Sequence, residues 1–306
     1  MSGTDGKITL GILLMVAFSL LAPLMDSFAK LIGDAVAVAQ VAATRFVFQA
    51  GLLLPLAWAM GWLHRPARLE SGLHALRAAL LLVATGCFFT ALRFMPIADA
   101  IAIFFVEPFI LTLLGGLILR EPIGPRRYIA CAVGFAGAML IIQPSFRAVG
   151  PVALLPVVTA LCFAFYMILT RRMATRMHPI TLQVYTAVAA LVVAAPVLMV
   201  FDGSGVAPLD PSWPEARVAW MLVALGVIAT LSHVCISFAL SLAPASLLAP
   251  LQYLEIVGAT LFGYLIFSDM PDATTFAGIA LIVASGLYVY LRERRLGRRR
   301  RPTPAP

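Results

Sequence analysis

Two stretches of this 306-residue chain decide the fold: CFFTALRFMPIADAIAIFFVEPFILTLLGGLILRE at 87–121 and CISFALSLAPASLLAPLQYLEIVGATLFGYLIFSD at 235–269. Shifted by 148 residues with no gap, they agree at ten of 35 positions, and Glu121 faces Asp269 with its charge kept. Chance explains matches of Ala and Leu in a hydrophobic chain, but it does not readily place Cys, Pro and Glu in step. Two similar hydrophobic halves are typical of secondary transporters, whose substrate site lies between the halves. The identical pairs are Cys87/Cys235, Ala91/Ala239, Leu92/Leu240, Pro96/Pro244, Glu107/Glu255, Thr112/Thr260, Leu113/Leu261, Gly115/Gly263, Leu117/Leu265 and Ile118/Ile266.

The composition is that of an integral membrane protein. The chain is 62% hydrophobic and only 12% charged, whereas about a quarter of the residues of a soluble protein are charged. Apolar runs long enough to cross a bilayer recur along the whole chain, and the first is expected to be a retained helix rather than a cleaved signal peptide. The ten predicted spans are 8–28, 36–60, 74–93, 97–119, 127–143, 151–170, 181–201, 217–240, 245–267 and 274–291.

The basic residues predict the orientation of these spans. With ten helices and both termini inside, the inner segments contain 17 Lys and Arg residues, the outer segments contain four, and Arg45 lies within a helix. The inner set includes Arg77 and the arginines of the tail at 292–306. By the positive-inside rule, the N and C termini are therefore cytoplasmic. The net charge of +8 follows this membrane asymmetry, so we expect no nucleic-acid partner.

An odd number of helices in each half inverts the second half relative to the first. We therefore predict an all-α membrane protein with ten transmembrane helices, arranged as two inverted five-helix repeats at 8–143 and 151–291 and followed by the basic cytoplasmic tail at 292–306. Inverted repeats are related by a pseudo-two-fold axis in the membrane plane, and this geometry supports alternating access to one central site.

Three charged residues are expected deep in the membrane. Glu107 and Glu255 each fall about ten residues into their helices, roughly 15 Å from the starting interface, and the repeat makes them symmetry mates. Arg45 lies at a similar depth. Such residues are expensive in a bilayer and are functional candidates. The glutamates would carry a proton or contact a cationic group, and Arg45 would contact an anionic group or hold one glutamate ionised. The alternative is a structural ion pair between Arg45 and Glu107 or Glu255.

Further candidates surround these three residues. Asp26 and Lys30 are spaced to pair on one face of the first helix, near its outer end. His233 is either a proton relay or a satisfied core residue. Prolines free a backbone carbonyl and bend a helix, so a substrate could meet exposed backbone there. The two helix-breaking candidates are Pro108 and Pro250, and the candidate cavity-lining residues are Gln252, Tyr253 and Tyr166.

The order of several short motifs resembles a known family. Arg120-Glu121-Pro122 follows Glu107-Pro108-Phe109, and Gly263-Tyr264-Leu265 follows Pro250-Leu251-Gln252. This pattern resembles the EamA repeat of the drug/metabolite transporter superfamily over residues 8–293. The segments Met25–Lys30 and Tyr253–Asp269 look closest to the branch that includes S-adenosylmethionine and riboflavin uptake proteins. The resemblance implies ten helices, two inverted EamA units and transport of a small metabolite across a bacterial inner membrane.

The sequence favours a carrier over the other function classes. There is no phosphate-binding GxxxxGK[ST] motif, so we expect energy from an ion gradient or from the substrate's own gradient. A membrane enzyme is the remote alternative, but HExxH and GxSxG are absent and the four histidines are scattered. We expect no cofactor and no metal site. Uptake of an S-adenosylmethionine-like or riboflavin-like solute and export of amino acids or drug-like metabolites both stay open, as does the oligomeric state, with a homodimer as one alternative.

Overall fold

The computed structural model describes residues 3–118, 124–173, 177–243 and 245–299, and its regular elements there are all helices. Glu121 and the tail from residue 300 onward lie outside these residues. The α-helices are α1 (Gly3–Ile32), α2 (Val38–Ala59), α3 (Arg68–Leu92), α4 (Ile97–Phe104), α5 (Glu107–Ile118), α6 (Pro125–Val149), α7 (Leu155–Met173), α8 (Pro179–Phe201), α9 (Ala216–Leu242), α10 (Ala245–Gln252), α11 (Leu254–Phe267) and α12 (Ala273–Arg299).

The all-α membrane fold predicted from the composition is confirmed. The described part of the chain contains nine stretches that are long and apolar enough to cross a membrane. One of them, Tyr128–Thr170, has 43 residues, or about 65 Å of helix, which is twice the thickness of a bilayer core. It contains most of α6, a 3-10 segment at Gly150–Leu154 and most of α7. Dividing it at Gly150, where φ is 66°, gives ten spans; this number and the side of each terminus stay predictions.

The predicted fourth and ninth helices are each divided in two. The fourth consists of α4 and α5, and the ninth consists of α10 and α11, with one or two residues between the parts. At the C-terminal end, α12 continues to Arg299, so the beginning of the segment predicted as a tail is helical.

The main helix contacts correspond when the two halves of the chain are exchanged. The major hydrophobic cluster joins residues of both halves, including Met25 of α1, Phe109 of α5 and Leu225 of α9. This correspondence is what two related five-helix units would produce, and it supports the predicted repeat. The contacts α1–α9, α2–α9 and α1–α11 correspond to α7–α3, α8–α3 and α7–α5, while α2–α8 and α6–α12 correspond to themselves.

One expected side-chain pair is wrong. Lys30 does not pair with Asp26; its Nζ atom lies 2.8 Å from Oδ2 of Asp269 and donates to the carbonyl of Met95 at 3.1 Å. Near α12, Asp272 accepts a hydrogen bond from the Thr275 N–H at 2.7 Å, and the hydrogen bonds from this segment lower the pKa of Asp272. Asp26 lies in the protein interior, with 5% of its surface exposed, and Lys30 pairs instead with Asp269, just after α11.

A second expectation is wrong for Arg77. The sequence placed it among the basic residues of an inner segment, but α3 begins at Arg68 and Arg77 lies inside the helix with no exposed surface. Its burial follows from the packing of α3 against α7 and α8. The positive-inside count therefore includes one arginine that does not lie at the surface.

The final helices of the two halves pack with their backbones in close contact. A Cβ atom added to Gly278 of α12 would lie 2.6 Å from the carbonyl oxygen of Gly137 in α6. A Cβ atom at Gly137 would in turn lie 2.9 Å from the carbonyl oxygen of Gly278. Small residues at such positions let transmembrane helices approach closely and are a main source of helix association in lipid.

Replacing Gly278 by valine should therefore separate α6 from α12. We expect the purified protein to lose about 1–3 kcal/mol of stability, which is the usual cost of overpacking, and to unfold at a lower temperature in detergent. The control is Gly51→Ala in α2, where an added Cβ atom meets nothing within 4 Å. Equal unfolding temperatures for Gly278→Val and the wild type would contradict the close packing.

Candidate substrate site at the two helix breaks

Each divided segment carries its glutamate at the start of the second part. Glu107 is the first residue of α5, and Glu255 is the second residue of α11. At the first break, the Val106 N–H donates to the carbonyl of Ile103, three residues back, at 3.2 Å, instead of making the four-residue bond of an α-helix. At the second break, the Ile256 N–H donates to Tyr253 in the same way, also at 3.2 Å. Irregular backbone at membrane depth is tolerated where it is buried in protein or lines a cavity.

The two prolines stand differently toward these breaks. Pro108 is the second residue of α5, and its missing N–H deprives the carbonyl of Phe104 of its helical partner. Pro250 lies inside α10, two residues before the helix ends at Gln252. Gln252 is half-buried and directly precedes Tyr253, which separates α10 from α11. Pro108 thus lies beside its break, whereas the second break comes after Pro250.

Three carboxyl groups share the interior between the breaks. Asp26 of α1 is 5% exposed and Glu107 is 9% exposed, while Glu255 is half-buried. Glu255 lies close enough to both to interact with them electrostatically. Within the described residues, Oδ1 of Asp26 and Oε1 of Glu107 have no hydrogen-bond partner. Like charges cannot share a buried site cheaply, so this group requires a proton, a cation or water.

Arg45 lies near Asp26 and forms no ion pair with either glutamate among the described residues. Its Nη1 atom donates to Oγ1 of Thr85 at 3.1 Å, and Nη2 lies 2.6 Å from Nε2 of His233. Because guanidinium only donates, Nε2 of His233 accepts, and its Nδ1 donates to the carbonyl of Ala229 at 3.2 Å. His233 is thus held neutral, with both ring nitrogens bonded, and Arg45 interacts electrostatically with Asp26.

Aromatic rings line both sides of this interior. The rings of Phe105 and Tyr253, one from each break, have centroids 5.1 Å apart and are tilted by 32°. On the other side, Phe163 of α7 lies 5.6 Å from Phe104 and 5.4 Å from Tyr166. Of these rings, Tyr253 lies close enough to Glu107 to interact with it electrostatically, and an aromatic face beside a carboxyl group suits a planar organic ligand.

Tyr253 is seated directly on a glycine of α12. A Cβ atom at Gly286 would overlap the hydroxyl oxygen of Tyr253, so no larger residue fits there without moving the ring. The ring position is therefore fixed by Phe105 on one side and by the backbone of α12 on the other. The structure thus brings together Glu107, Glu255, Arg45 and Tyr253 with Tyr166 and His233, all of which the sequence predicts as site residues.

Two buried polar features were not predicted. Asp26 was expected to pair with Lys30 near the outer end of the first helix, whereas it lies buried near Glu255. Gln49 of α2 is fully buried, and its Nε2 atom donates to Oε1 of Gln183 in α8 at 2.9 Å. Gln183 continues this connection to Ser237 of α9 at 3.4 Å. Two glutamines inside apolar runs were the available signal for a polar link between the halves.

The comparison with known families agrees with the geometry. The sequence model of the EamA-like transporter family matches two parts of the chain, residues 9–143 and 150–291. The chain belongs to the EamA-like transporter family. It is a multi-pass protein of a bacterial inner membrane and transports small molecules; it is not an enzyme.

Individual relatives share about a quarter to a third of their residues with the chain. A riboflavin transporter of Vibrio cholerae is 28% identical over 265 residues, covering 85% of each protein. An S-adenosylmethionine uptake transporter of Rickettsia felis is 28% identical over 273 residues, covering 88% of each protein. A pseudopaline exporter of Pseudomonas aeruginosa is 30% identical over 201 residues, covering 65% of this chain and 68% of the exporter.

A solved crystal structure has the same fold. It superposes with a TM-score of 0.64, covers 95% of this chain and 99% of its own, and is 21% identical in sequence. At this identity the likeness concerns the fold alone.

The contact between Gly286 and Tyr253 can be tested directly. Gly286→Ala should push the tyrosine out of place and reduce the uptake rate several-fold in proteoliposomes, with the protein still folded. The overlap is mainly with the hydroxyl oxygen, which Tyr253→Phe removes. Gly286→Ala should therefore reduce the uptake rate less in the Tyr253→Phe background than in the wild type. The single variant Gly51→Ala serves as control. Wild-type uptake by Gly286→Ala would show that the position of the ring does not matter.

Proposed function

We propose that the protein is a secondary carrier that works by alternating access around the interior between the two helix breaks, with both termini in the cytoplasm. The observation that carries this proposal is the grouping of Asp26, Glu107 and Glu255 on helices from both halves of the chain, with Arg45 close to Asp26. Ionisable groups at membrane depth cost several kcal/mol unless they are paired or hydrated. A transported ligand or proton can supply the partner that the buried carboxyl groups lack. The site is then more stable when it is occupied than when it is empty.

The site chemistry favours a ligand with a planar ring and a cationic group. The Phe105 and Tyr253 rings would stack on the planar part, and the three carboxyl groups would face the positive part. Arg45 would meet an acidic group of the same ligand. S-adenosylmethionine combines a planar adenine, a positive sulfonium and an amino-acid carboxylate, so we infer uptake of an S-adenosylmethionine-like solute.

A riboflavin-like solute is the second candidate. Its three-ring system suits the same aromatic faces, and its hydroxyl groups can donate to carboxylates. It has no cationic centre, so the carboxyl groups would then have to be protonated or hydrated. The riboflavin transporters among the relatives favour this candidate, while the pseudopaline exporter keeps export of an acidic metabolite as an alternative.

The two glutamates can be tested by removing their charge. Glu107→Gln and Glu255→Gln should each reduce uptake of radiolabelled S-adenosylmethionine at least about tenfold, since each removes one charged partner of the ligand. Uptake of riboflavin by the same proteoliposomes distinguishes the two candidates.

The matched control is Glu215→Gln, which changes an exposed glutamate before α9. Thermal unfolding of each purified variant shows whether the fold is kept. Full uptake by both central variants would refute the central role of the carboxyl pair.

Coupling to protons is a separate prediction. If one of the buried carboxyl groups carries a proton together with the solute, an inward-directed proton gradient, with the outside more acidic, should accelerate uptake. Glu107→Gln or Glu255→Gln should remove that acceleration. The measurement compares initial rates with and without a gradient at the same external pH. A rate that does not respond to the gradient in the wild type would instead indicate facilitated diffusion or another coupling ion.

A further inference from the structure

A second guanidinium group is buried away from the helix breaks. Arg77 of α3 has no exposed surface, and its partners among the described residues are neutral hydroxyl groups. Its Nε atom donates to Oγ1 of Thr170 at 3.2 Å, Nη1 to Oγ1 of Thr186 at 2.7 Å, and Nη2 to the hydroxyl of Tyr166 at 3.1 Å. The guanidinium also lies over the Tyr166 ring, 4.7 Å from its centroid. Three of its five N–H donors are thereby used.

The positive charge of Arg77 has no negative partner in the described part of the chain. None of the ion pairs found there includes it. Among the described residues, Glu70 is an acidic group near this region, but its carboxylate accepts from the Ala67 N–H at 3.0 Å and lies 4.0 Å from His64. A buried cation without a counter-charge is costly at membrane depth. A neutral side chain could hydrogen-bond to the same hydroxyl groups at a lower free-energy cost than a buried arginine.

A second unsatisfied group lies on the same face of α3. His74 precedes Arg77 by three residues, so the two side chains are neighbours on the helix surface. Its surface is 2% exposed, and neither ring nitrogen has a hydrogen-bond partner among the described residues. The edge of its ring meets Tyr185, with centroids 5.1 Å apart. An imidazole and a guanidinium, each with unused polar capacity, are therefore buried side by side.

Tyr166 connects this group to the central site. Its hydroxyl accepts from Arg77, and it also interacts electrostatically with Arg45. Thr85, which binds Arg45, follows Arg77 by eight residues of the same helix, or about 12 Å along the axis. With the predicted orientation, the N-terminal half of α3 is cytoplasmic. The two arginines thus lie at successive depths, with Tyr166 between them.

We propose that Arg77, His74 and Tyr166 form a second anion-binding subsite on the cytoplasmic half of the path, which takes the carboxylate of the solute after it leaves Arg45. This inference rests on the proposed carrier function. The subsite is closed in the structure, so it fills when the cytoplasmic half opens, and an anion that binds there stabilises that open state.

The first test is independent of the transported solute. Purified full-length protein in neutral detergent is unfolded by heat in sodium sulfate and, at equal ionic strength, in sodium chloride. The wild type should show a saturable stabilisation by sulfate that is reduced in Arg77→Gln and kept in Arg147→Gln, an exposed arginine at the end of α6. An equal response of the wild type and Arg77→Gln would overturn the subsite, because a purely structural arginine changes stability without changing its dependence on sulfate.

Arg77→Lys covers the case in which the glutamine variant does not fold. It keeps the charge but loses the planar fork, so the sulfate midpoint should rise about tenfold. An unchanged midpoint would also overturn the proposal.

The second test links the subsite to transport. The wild type should take up S-adenosylmethionine faster than its decarboxylated analogue, and Arg77→Gln should lose most of this preference. If sulfate binding depends on Arg77 but neither compound is transported, the subsite stands and the proposed substrate class fails. If both compounds are transported and their ratio is unchanged in Arg77→Gln, the role of the subsite in transport is refuted.

Discussion

The interior of this protein is organised around charged groups for which the described part of the chain provides no opposite charge at bonding distance. In a bilayer, water cannot stabilise such groups from outside, so each must find hydrogen bonds, a proton or a ligand within the protein. Arg45 and Arg77 have hydroxyl and imidazole partners, while Asp26 and Glu107 keep oxygen atoms with no partner among the described residues. An unbalanced interior makes sense in a carrier, because a fully paired interior would leave nothing for the solute to bind.

The sequence was most informative where the repeat carried chemistry. Glu107 and Glu255 could be placed as partners because each keeps its position in a copied stretch, and the structure puts both at the start of a half-helix. The position of the second break was harder to predict. A proline frees one carbonyl but does not determine the residue at which the axis changes direction, and at α10 the chain continues helical past Pro250 before it breaks at Tyr253.

The residues that sequence reasoning misplaced have their partners far away in the chain. Lys30 and Asp26 are four residues apart and suit a local pair, but Asp269 of the other half competes successfully for Lys30. Arg77 resembles a surface arginine near a helix end, and only the packing of α7 and α8 shows that it is buried. Periodicity and local spacing describe one helix at a time, so they do not reveal which of several helices will cover a given face.

The glycine contact between α6 and α12 has a mechanical consequence. These helices end the two halves of the chain, and their backbones touch without intervening side chains. Two helices in such contact can rotate relative to each other about the contact point. Sliding along each other would push neighbouring side chains into the backbone, and separation would leave an unfilled gap. The seam is therefore suited to act as a pivot, about which a rotation of the two halves would displace helices outside the contact, such as α2 and α8.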